Sequence, residues 1–266
     1  MKRYRTTAWI VLAVILVLSL AASFVPGWSY KEQHREFINA SPSLHFLLGT
    51  DALGRDRLAR LVCATRISLL LAAAAAMGAL ILAAIVGGMA GYLGGGFDRA
   101  TVRAIDLMLS LPWLFLLIAA RALLPLDASP ETSLLVTYFL LALLGWAAPA
   151  RVVRAGVRGF RQSDFVLQAR ALGCPETRVL VRHILPNLRP ILLAQFWTSI
   201  PIFILAEANL GFLGLSASEP FPTWGNLLRD LQSPLMVRPE AFAPVAAVVL
   251  AVLCFKFITP WGGSQV

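Results

Sequence analysis

The chain has 266 residues, of which 58% are hydrophobic and 14% are charged, and its formal net charge is +9. A soluble domain is normally about a quarter charged, so this composition excludes an ordinary soluble domain and indicates an integral membrane protein. The positive charge is mostly arginine beside apolar runs, as orientation signals are, so no nucleic-acid partner is expected. Three scattered cysteines without a CxxC pair predict neither a disulfide framework nor a bound metal.

Six apolar runs are each long enough to cross about 30 Å of hydrocarbon at about 1.5 Å per helical residue. In chain order they are Ala8–Val25, Ile67–Ala90, Ala104–Leu124, Ser133–Ala150, Leu188–Leu215 and Ala241–Ile258. They show no residue-by-residue alternation, which predicts an all-α membrane protein rather than a transmembrane barrel. The first run lacks a convincing cleavage site and is interpreted as a retained anchor.

These runs suggest three parts of the chain. Residues 1–66 hold the anchor and an extracytoplasmic segment, residues 67–258 hold a five-helix core, and residues 259–266 form a short tail. The loop 151–189 contains eight arginines against two acids, the largest positive bias in the chain. The positive-inside rule places this loop in the cytoplasm. Both termini are then cytoplasmic, although basic residues in the first loop oppose this weakly.

Proline, glutamate and glycine inside the spans each need an interpretation. Pro112 and Pro201 are predicted to kink the third and fifth helices, either as structural kinks or as hinges of a gate. Glu207, near the outer end of the fifth span, is either a structural hydrogen-bond or ion-pair partner or a participant in transport. Small residues such as Gly87 and Gly91 predict a face of the second helix that packs closely against a neighbour.

No catalytic site is indicated by the sequence. The stretch GLSA at 214–217 is similar to the serine site of rhomboid-type intramembrane proteases, but no histidine follows Ser216 to act as its base. None of the three lysines lies in a P-loop, so any ATP must be bound by another subunit. We therefore expect a non-catalytic chain that binds no cofactor itself. A membrane-embedded enzyme or scaffold is the disfavoured alternative class.

The coupling segment, residues 164–187, is amphipathic, basic and broken in its middle. Phe165, Ala169 and Leu172 fall at helical spacing on an apolar face. Gly173 suits the end of one helix and Pro175 the start of the next, which predicts a helix–turn–helix. Its apolar face needs a cover, which is either the lipid headgroup region or a groove of a partner protein.

Three stretches of the chain resemble one family when they are taken together. They are Gly173 followed after nine residues by HILPN at 183–187, GTDALGRD at 49–56 with RISL at 66–69, and AEANLGFLGL at 206–215 with PTWGN at 222–226. In this order they resemble the motifs of the second, C-type permease subunit of dipeptide/oligopeptide/nickel ABC importers. The resemblance covers about residues 44 to 255.

The resemblance implies a type I ABC importer permease fold in the cell inner membrane. The implied partners are a homologous permease, two ABC ATPase subunits that carry ATP and Mg, an extracytoplasmic substrate-binding protein and the lipid membrane. The implied ligand is a short peptide, with nickel or a metal chelate as the alternative.

The same resemblance assigns the coupling helix that docks on the ATPase. The implied coupling residues are Leu167, Gln168, Ala169, Gly173, His183, Ile184, Leu185 and Pro186. The family has glutamate and alanine where this chain has Leu167 and Gln168, so we expect docking through shape and apolar contact rather than through a carboxylate. The charged C-terminal segment of the family is also replaced here, and a truncated or divergent C-terminus is expected.

Two further expectations concern the predicted outer side. The GTD motif comprises Thr50, Asp51, Gly54, Arg55 and Asp56. It is predicted to form a capped turn before a helix, in which Asp51 is the cap, Gly54 relieves the backbone and Arg55 can pair with Asp56. This turn is interpreted either as a self-contained structural element or as a contact for the binding protein. Trp224, in a proline-rich turn, is predicted to anchor at the membrane interface.

Overall fold

The computed structural model describes residues 2–22, 28–123, 129–216, 221–232 and 238–259. Within these ranges the chain is helical, and it has no strand beyond one isolated antiparallel bridge between Thr50 and Asp56. The all-α prediction is therefore confirmed. Of the predicted tail only Thr259 is described, and the last residues of the first and third predicted runs also lie outside the described residues.

The helices follow one another closely along the chain. In order they are α1 (Lys2–Ala21), α2 (Arg57–Leu93), α3 (Gly95–Ser110), α4 (Trp113–Ala122), α5 (Pro130–Leu144), α6 (Ala147–Phe160), α7 (Asp164–Ala171), α8 (Glu176–Arg178), α9 (Leu185–Asn187), α10 (Arg189–Phe212), α11 (Trp224–Leu228) and α12 (Ala243–Ile258). A π-helical stretch, Val179–Ile184, joins α8 to α9. Short 3-10 helices cover Arg35–Phe37, Arg229–Gln232 and Pro239–Phe242.

Five helical stretches of the described chain are long and apolar enough to cross a membrane. They are Arg3–Ala21, Arg57–Leu93, Pro130–Phe160, Arg189–Phe212 and Pro239–Ile258, and α3 with α4 makes a sixth if this bent pair is counted as one span. The predicted number of spans agrees with this result. The third of these stretches, Pro130–Phe160, corresponds to the fourth predicted span and runs past its predicted end at Ala150, because α6 continues as a helix to Phe160.

The third predicted span is broken rather than kinked. α3 and α4 meet at 88°. Leu111, at the end of α3, has an extended backbone, as a residue before proline prefers. Pro112 follows it and cannot donate a backbone hydrogen bond back into α3. In contrast, Pro201 lies inside α10, and the helix continues through it.

The described chain forms two compact units. Unit 1 contains Met1–Ala73, Leu123–Tyr138 and Ile200–Val266, and unit 2 contains Ala74–Ala122 and Phe139–Ser199. In unit 1, α1 packs along α12. The rings of Tyr4 and Phe257 stack with their centroids 6.2 Å apart. The start of α1 and the end of α12 therefore lie together, while the membrane side on which they lie stays a prediction.

In unit 2, glycines bring α2 and α6 into backbone contact. A Cβ atom on Gly87 would lie 2.5 Å from the carbonyl oxygen of Ala150. A Cβ atom on Gly91 would lie 2.5 Å from the carbonyl oxygen of Arg154. Any larger residue would force the two helices apart, so the predicted close-packing face of the second helix is confirmed.

Candidate functional site

The coupling segment forms the predicted helix–turn–helix in unit 2. Gly173 has a φ of 77°, a conformation that glycine adopts without strain. Its N–H donates to the carbonyl of Arg170 at 2.9 Å, and the N–H of Cys174 donates to the carbonyl of Ala169 at 3.1 Å. This pair of bonds is a Schellman motif that ends α7. Pro175 stands directly before α8, so the glycine and proline act as the sequence predicts.

The HILPN stretch explains why the helix after the Gly173 turn is π-helical rather than α-helical. The ring of Pro186 would clash with the carbonyl four residues earlier in a regular α-helix. The chain instead forms the π-helical stretch Val179–Ile184 just before it. Asn187 then donates its side-chain N–H to the carbonyl of His183 at 2.6 Å. The motif therefore shapes the second half of the coupling segment.

The coupling segment has an inner and an outer face. Val166 and Ala169 are buried in an apolar cluster of unit 2 together with Val179 and Ile184. On the outer side lies the α7 face, which comprises Leu167, Gln168, Ala171 and Leu172. Leu167 is 51% exposed and Leu172 is 84% exposed. The α7 face is thus largely apolar and is uncovered within the described chain.

The predicted coupling residues divide between these two faces. Leu167, Gln168, Gly173 and Pro186 are exposed, His183 and Leu185 are half-buried, and Ala169 and Ile184 are buried. Phe165 and Ala169 pack in this apolar cluster, whereas Leu172 is exposed, so the prediction that all three share one apolar face is wrong for Leu172. Leu172 is the C-cap residue of α7, so the helical spacing no longer fixes the direction of its side chain.

Sequence reasoning missed Tyr92, a buried residue of α2 that contacts the coupling segment from behind the α7 face. Its hydroxyl donates to Glu176 in α8, and Arg170 in α7 stacks over its ring. Tyr92 ends an apolar run and is separated from Glu176 by 84 positions. A tyrosine at the end of a predicted span is typical of an interfacial anchor, so no local pattern predicts the contact with Glu176.

The GTD motif in unit 1 is centred on the buried Asp51 carboxylate. Asp51 Oδ1 accepts the backbone N–H groups of Leu53 and Arg55, both at 2.9 Å. Asp51 Oδ2 accepts from Arg55 Nε at 2.8 Å and from Arg60 Nη1. Burial alone raises the pKa of Asp51, but the Arg55 N–H and the charges of Arg60 and Arg55 outweigh it, so the pKa is lowered.

Other members of the GTD motif fix the start of α2. Asp56 Oδ1 accepts the N–H of Leu58 at 2.8 Å, so Asp56 caps the helix. Asp56 Oδ2 accepts from Trp28 Nε1 at 2.9 Å. Thr50 Oγ1 accepts the N–H of Ala40 at 2.9 Å. Arg55 therefore pairs with Asp51, and the cap of α2 is Asp56 rather than the predicted Asp51.

Gly54 allows the backbone at His34 to approach the GTD motif closely. It has a φ of 73°, and a Cβ atom there would lie 2.3 Å from the carbonyl oxygen of His34. Thr50, Asp51, Arg55 and Asp56 are all buried. Their side chains face inward, which favours the structural-turn interpretation over a direct side-chain contact with a binding protein.

Glu207 in α10 is fully buried in unit 1. Its Oε1 accepts the hydroxyl of Ser216 at 2.7 Å. Between them α10 ends in a second Schellman motif, in which Leu215 N–H donates to the carbonyl of Leu210 at 2.8 Å. Gly214, with a φ of 78°, provides the left-handed residue of this turn. Glu207 therefore ties the end of α10 to the chain that leaves it.

Trp224 is a core residue and not an interfacial anchor. Only 1% of it is exposed. Its backbone N–H donates to Ser68 Oγ at 3.2 Å, and its Nε1 donates to Thr65 Oγ1 at 3.1 Å. Both N–H donors of the tryptophan are satisfied by side chains of α2, so the anchor prediction is wrong.

Substitutions at Glu207 should separate its two proposed roles. Glu207→Gln keeps the volume and an acceptor for Ser216, so we expect little change in thermal stability in detergent. Glu207→Ala leaves the Ser216 hydroxyl unsatisfied, and should lower the free energy of unfolding by about 1–3 kcal/mol, apart from the cavity it creates. A Glu207→Gln protein that keeps its stability but loses ligand uptake would instead show that the charge takes part in transport.

A family model described as "Binding-protein-dependent transport system inner membrane component" matches residues 79–262. The oligopeptide transport system permease protein OppC of Haemophilus influenzae is 30% identical over 253 residues, which is 94% of this chain and 79% of that protein.

Two other relatives are similar to the same extent. The dipeptide transport system permease protein DppC of Alkalihalophilus pseudofirmus is 32% identical over 250 residues, 94% of this chain and 80% of that protein. The nickel transport system permease protein NikC of Escherichia coli K12 is 33% identical over 265 residues, 97% of this chain and 94% of that protein.

Proposed function

The chain belongs to the family of binding-protein-dependent transport system inner membrane components, and from this premise we propose that it is a permease subunit of an ATP-driven importer. With a homologous permease it forms the pathway across the inner membrane. Two ABC ATPase subunits bind ATP and Mg, and an extracytoplasmic binding protein delivers the ligand. Short peptides are the proposed ligand class, with nickel or a metal chelate as the alternative, because the similar proteins carry these names.

The observation that carries the ATPase contact is the exposed α7 face. Leu172 is 84% exposed and Leu167 is 51% exposed, and their neighbours Gln168 and Ala171 are exposed as well. Fully burying a leucine side chain contributes about 1.5–3 kcal/mol. A partner surface that covers both Leu167 and Leu172 would therefore be stabilised by the burial of their apolar surface. The face carries no carboxylate at position 167, so the matching cleft on the ATPase is apolar at this point.

In the proposed mechanism, the ATPase subunits drive transport by changing which conformational state of the permease is favoured. ATP binding can shift a permease between inward-open and outward-open states only if the ATPase contacts those states differently. The α7 face supplies the contact, and the helices of this chain supply the moving wall. In this arrangement the coupling segment and both termini are cytoplasmic, and the GTD motif is extracytoplasmic. The permease alone should not hydrolyse ATP.

Leu172→Glu tests the docking surface. The variant is co-expressed with the second permease and the ATPase subunits, and the ATPase recovered with the purified permease is measured. Placing a charge in an apolar cleft should lower recovery by about tenfold or more, since about 1.4 kcal/mol corresponds to a factor of ten. The matched control is Leu44→Glu, because Leu44 is 97% exposed but lies in unit 1.

Three outcomes are informative. Loss of ATPase with Leu172→Glu but not with Leu44→Glu supports the proposal. Unchanged ATPase recovery with Leu172→Glu contradicts the assigned docking surface. Failure of the unaltered permease to retain ATPase subunits would favour the alternative class, a membrane-embedded enzyme or scaffold.

A further inference from the structure

Three side chains from three helices meet beside the Gly173 turn in unit 2. Tyr92 lies in the last turn of α2, Arg170 in the last turn of α7, and Glu176 at the start of α8. Arg170 Nη2 donates to Glu176 Oε2 at 3.2 Å, and the Tyr92 hydroxyl donates to the same oxygen. The guanidinium carbon of Arg170 lies 5.2 Å from the centroid of the Tyr92 ring. Each side chain therefore contacts the other two.

This triad supplies directional contacts where the rest of the packing is apolar. Val166 and Ala169 attach α7 to the core of unit 2 through apolar contacts, which are not directional. Hydrogen bonds to a carboxylate and a cation–π contact fix both distance and angle. Because Tyr92 is only 3% exposed, its end of the triad is anchored in the protein. The triad thus connects α7 and α8 to the end of α2 through contacts of defined geometry.

We propose that Tyr92, Arg170 and Glu176 are positioning residues that hold the α7 face at a fixed angle and pass the movement of α7 to α2. This inference rests on the proposed function, in which an ATPase partner moves α7. α2 is a candidate membrane span of 37 residues. A rotation of α2 that begins at Tyr92 would therefore move a membrane helix of the transport pathway. The triad links ATP-driven motion to the membrane helices, and its loss uncouples the two.

The first test uses the complete transporter, reconstituted in liposomes with the second permease, the ATPase subunits and the binding protein. Tyr92→Phe removes the hydroxyl, and Glu176→Gln removes the charge. Both variants are expected to assemble and to hydrolyse ATP within about twofold of the unaltered transporter. Ligand uptake per ATP hydrolysed should fall about tenfold in Tyr92→Phe, the factor expected for losing one hydrogen bond to a charged group. It should fall to a similar extent in Glu176→Gln, because the hydrogen bonds that remain are no longer strengthened by the carboxylate charge.

The double variant and a matched control sharpen this test. Because the three side chains act as one unit, Tyr92→Phe with Glu176→Gln should be no worse than the poorer single variant. Thr177→Val removes a hydroxyl from an exposed neighbour of Glu176 that lines the same groove as Tyr92, and it should behave as the unaltered protein. Arg170→Lys keeps a cation near Glu176 and should retain more coupling than Arg170→Ala.

A second measurement uses the permease alone and does not depend on ATPase partners. Hydrogen exchange of the backbone amides in residues 164–172 should quicken about tenfold in Tyr92→Phe and Glu176→Gln, and should not change in Thr177→Val. Unchanged exchange in the first two variants would overturn the positioning role. Unchanged uptake per ATP, multiplicative losses in the double variant, or loss of subunit assembly would each overturn the transmission role. An unaltered transporter without ATP-driven uptake would refute the proposed function, while the exchange experiment would still decide the positioning role.

Discussion

Replacing Asp51 with asparagine should lower the free energy of unfolding by about 3–5 kcal/mol, the usual cost of removing one partner from a buried ion pair. Asp51 is 3% exposed and Arg60 is 3% exposed. The asparagine would remove the carboxylate charge that Arg60 and Arg55 contact at this position. The start of α2 should loosen as a result, and the measurement is the thermal unfolding midpoint in detergent.

The pH dependence of the Asp51 effect has a defined sign. The folded protein lowers the pKa of Asp51 below its ordinary value of 3.8. The carboxylate therefore stabilises the fold fully above that value, and the contribution is lost as the pH falls through the lower folded pKa. The difference between the unaltered protein and Asp51→Asn should shrink in acid.

Glu36→Gln is the matched control for Asp51→Asn. Glu36 is an exposed acid in the same loop, so its loss should change stability by no more than about 0.5 kcal/mol. Equal unfolding midpoints for the two variants at neutral pH would show that the Asp51 network does not stabilise this loop.

Replacing Gly211 with alanine should displace α11 from α10. A Cβ atom on Gly211 would lie 2.5 Å from both the Cα and the carbonyl carbon of Gly225. Backbone atoms cannot rotate away as a flexible side chain can, so α11 must shift and move Trp224 from its buried position. Overpacking of this kind costs typically about 1–3 kcal/mol and occasionally more.

Gly96→Ala provides the control for Gly211→Ala. Gly96 lies in α3, and a Cβ atom there would meet nothing within 4 Å. Alanine is about 1 kcal/mol better than glycine within a helix, so this variant should be neutral or slightly stabilised. The thermal unfolding midpoints of both variants are compared in detergent. A Gly211→Ala protein as stable as Gly96→Ala would contradict the close approach of α10 and α11.

The sequence by itself determined the membrane class, the helical fold and the approximate spans. Leucine-rich and alanine-rich runs of sufficient length have few other stable arrangements, because only helices and closed barrels satisfy their backbone in hydrocarbon. Local signals were also enough for the Gly173 turn, since left-handed backbone favours glycine at the end of a helix. The family followed from three spaced motifs, and its model covers residues 79–262.

Only the tertiary structure decided which side chains face a neighbour and which face outward. The sequence around Trp224 predicts an interfacial anchor, yet its hydrogen-bond partners lie 156 and 159 positions earlier in the chain. Helical spacing predicts that Leu172 shares a face with Phe165 and Ala169, but the helix ends at Ala171 and leaves Leu172 exposed. Tyr92 meets Glu176 across 84 positions. Periodicity describes one helix at a time, whereas these contacts arise when separate helices pack, and their energy depends on a geometry that no local pattern contains.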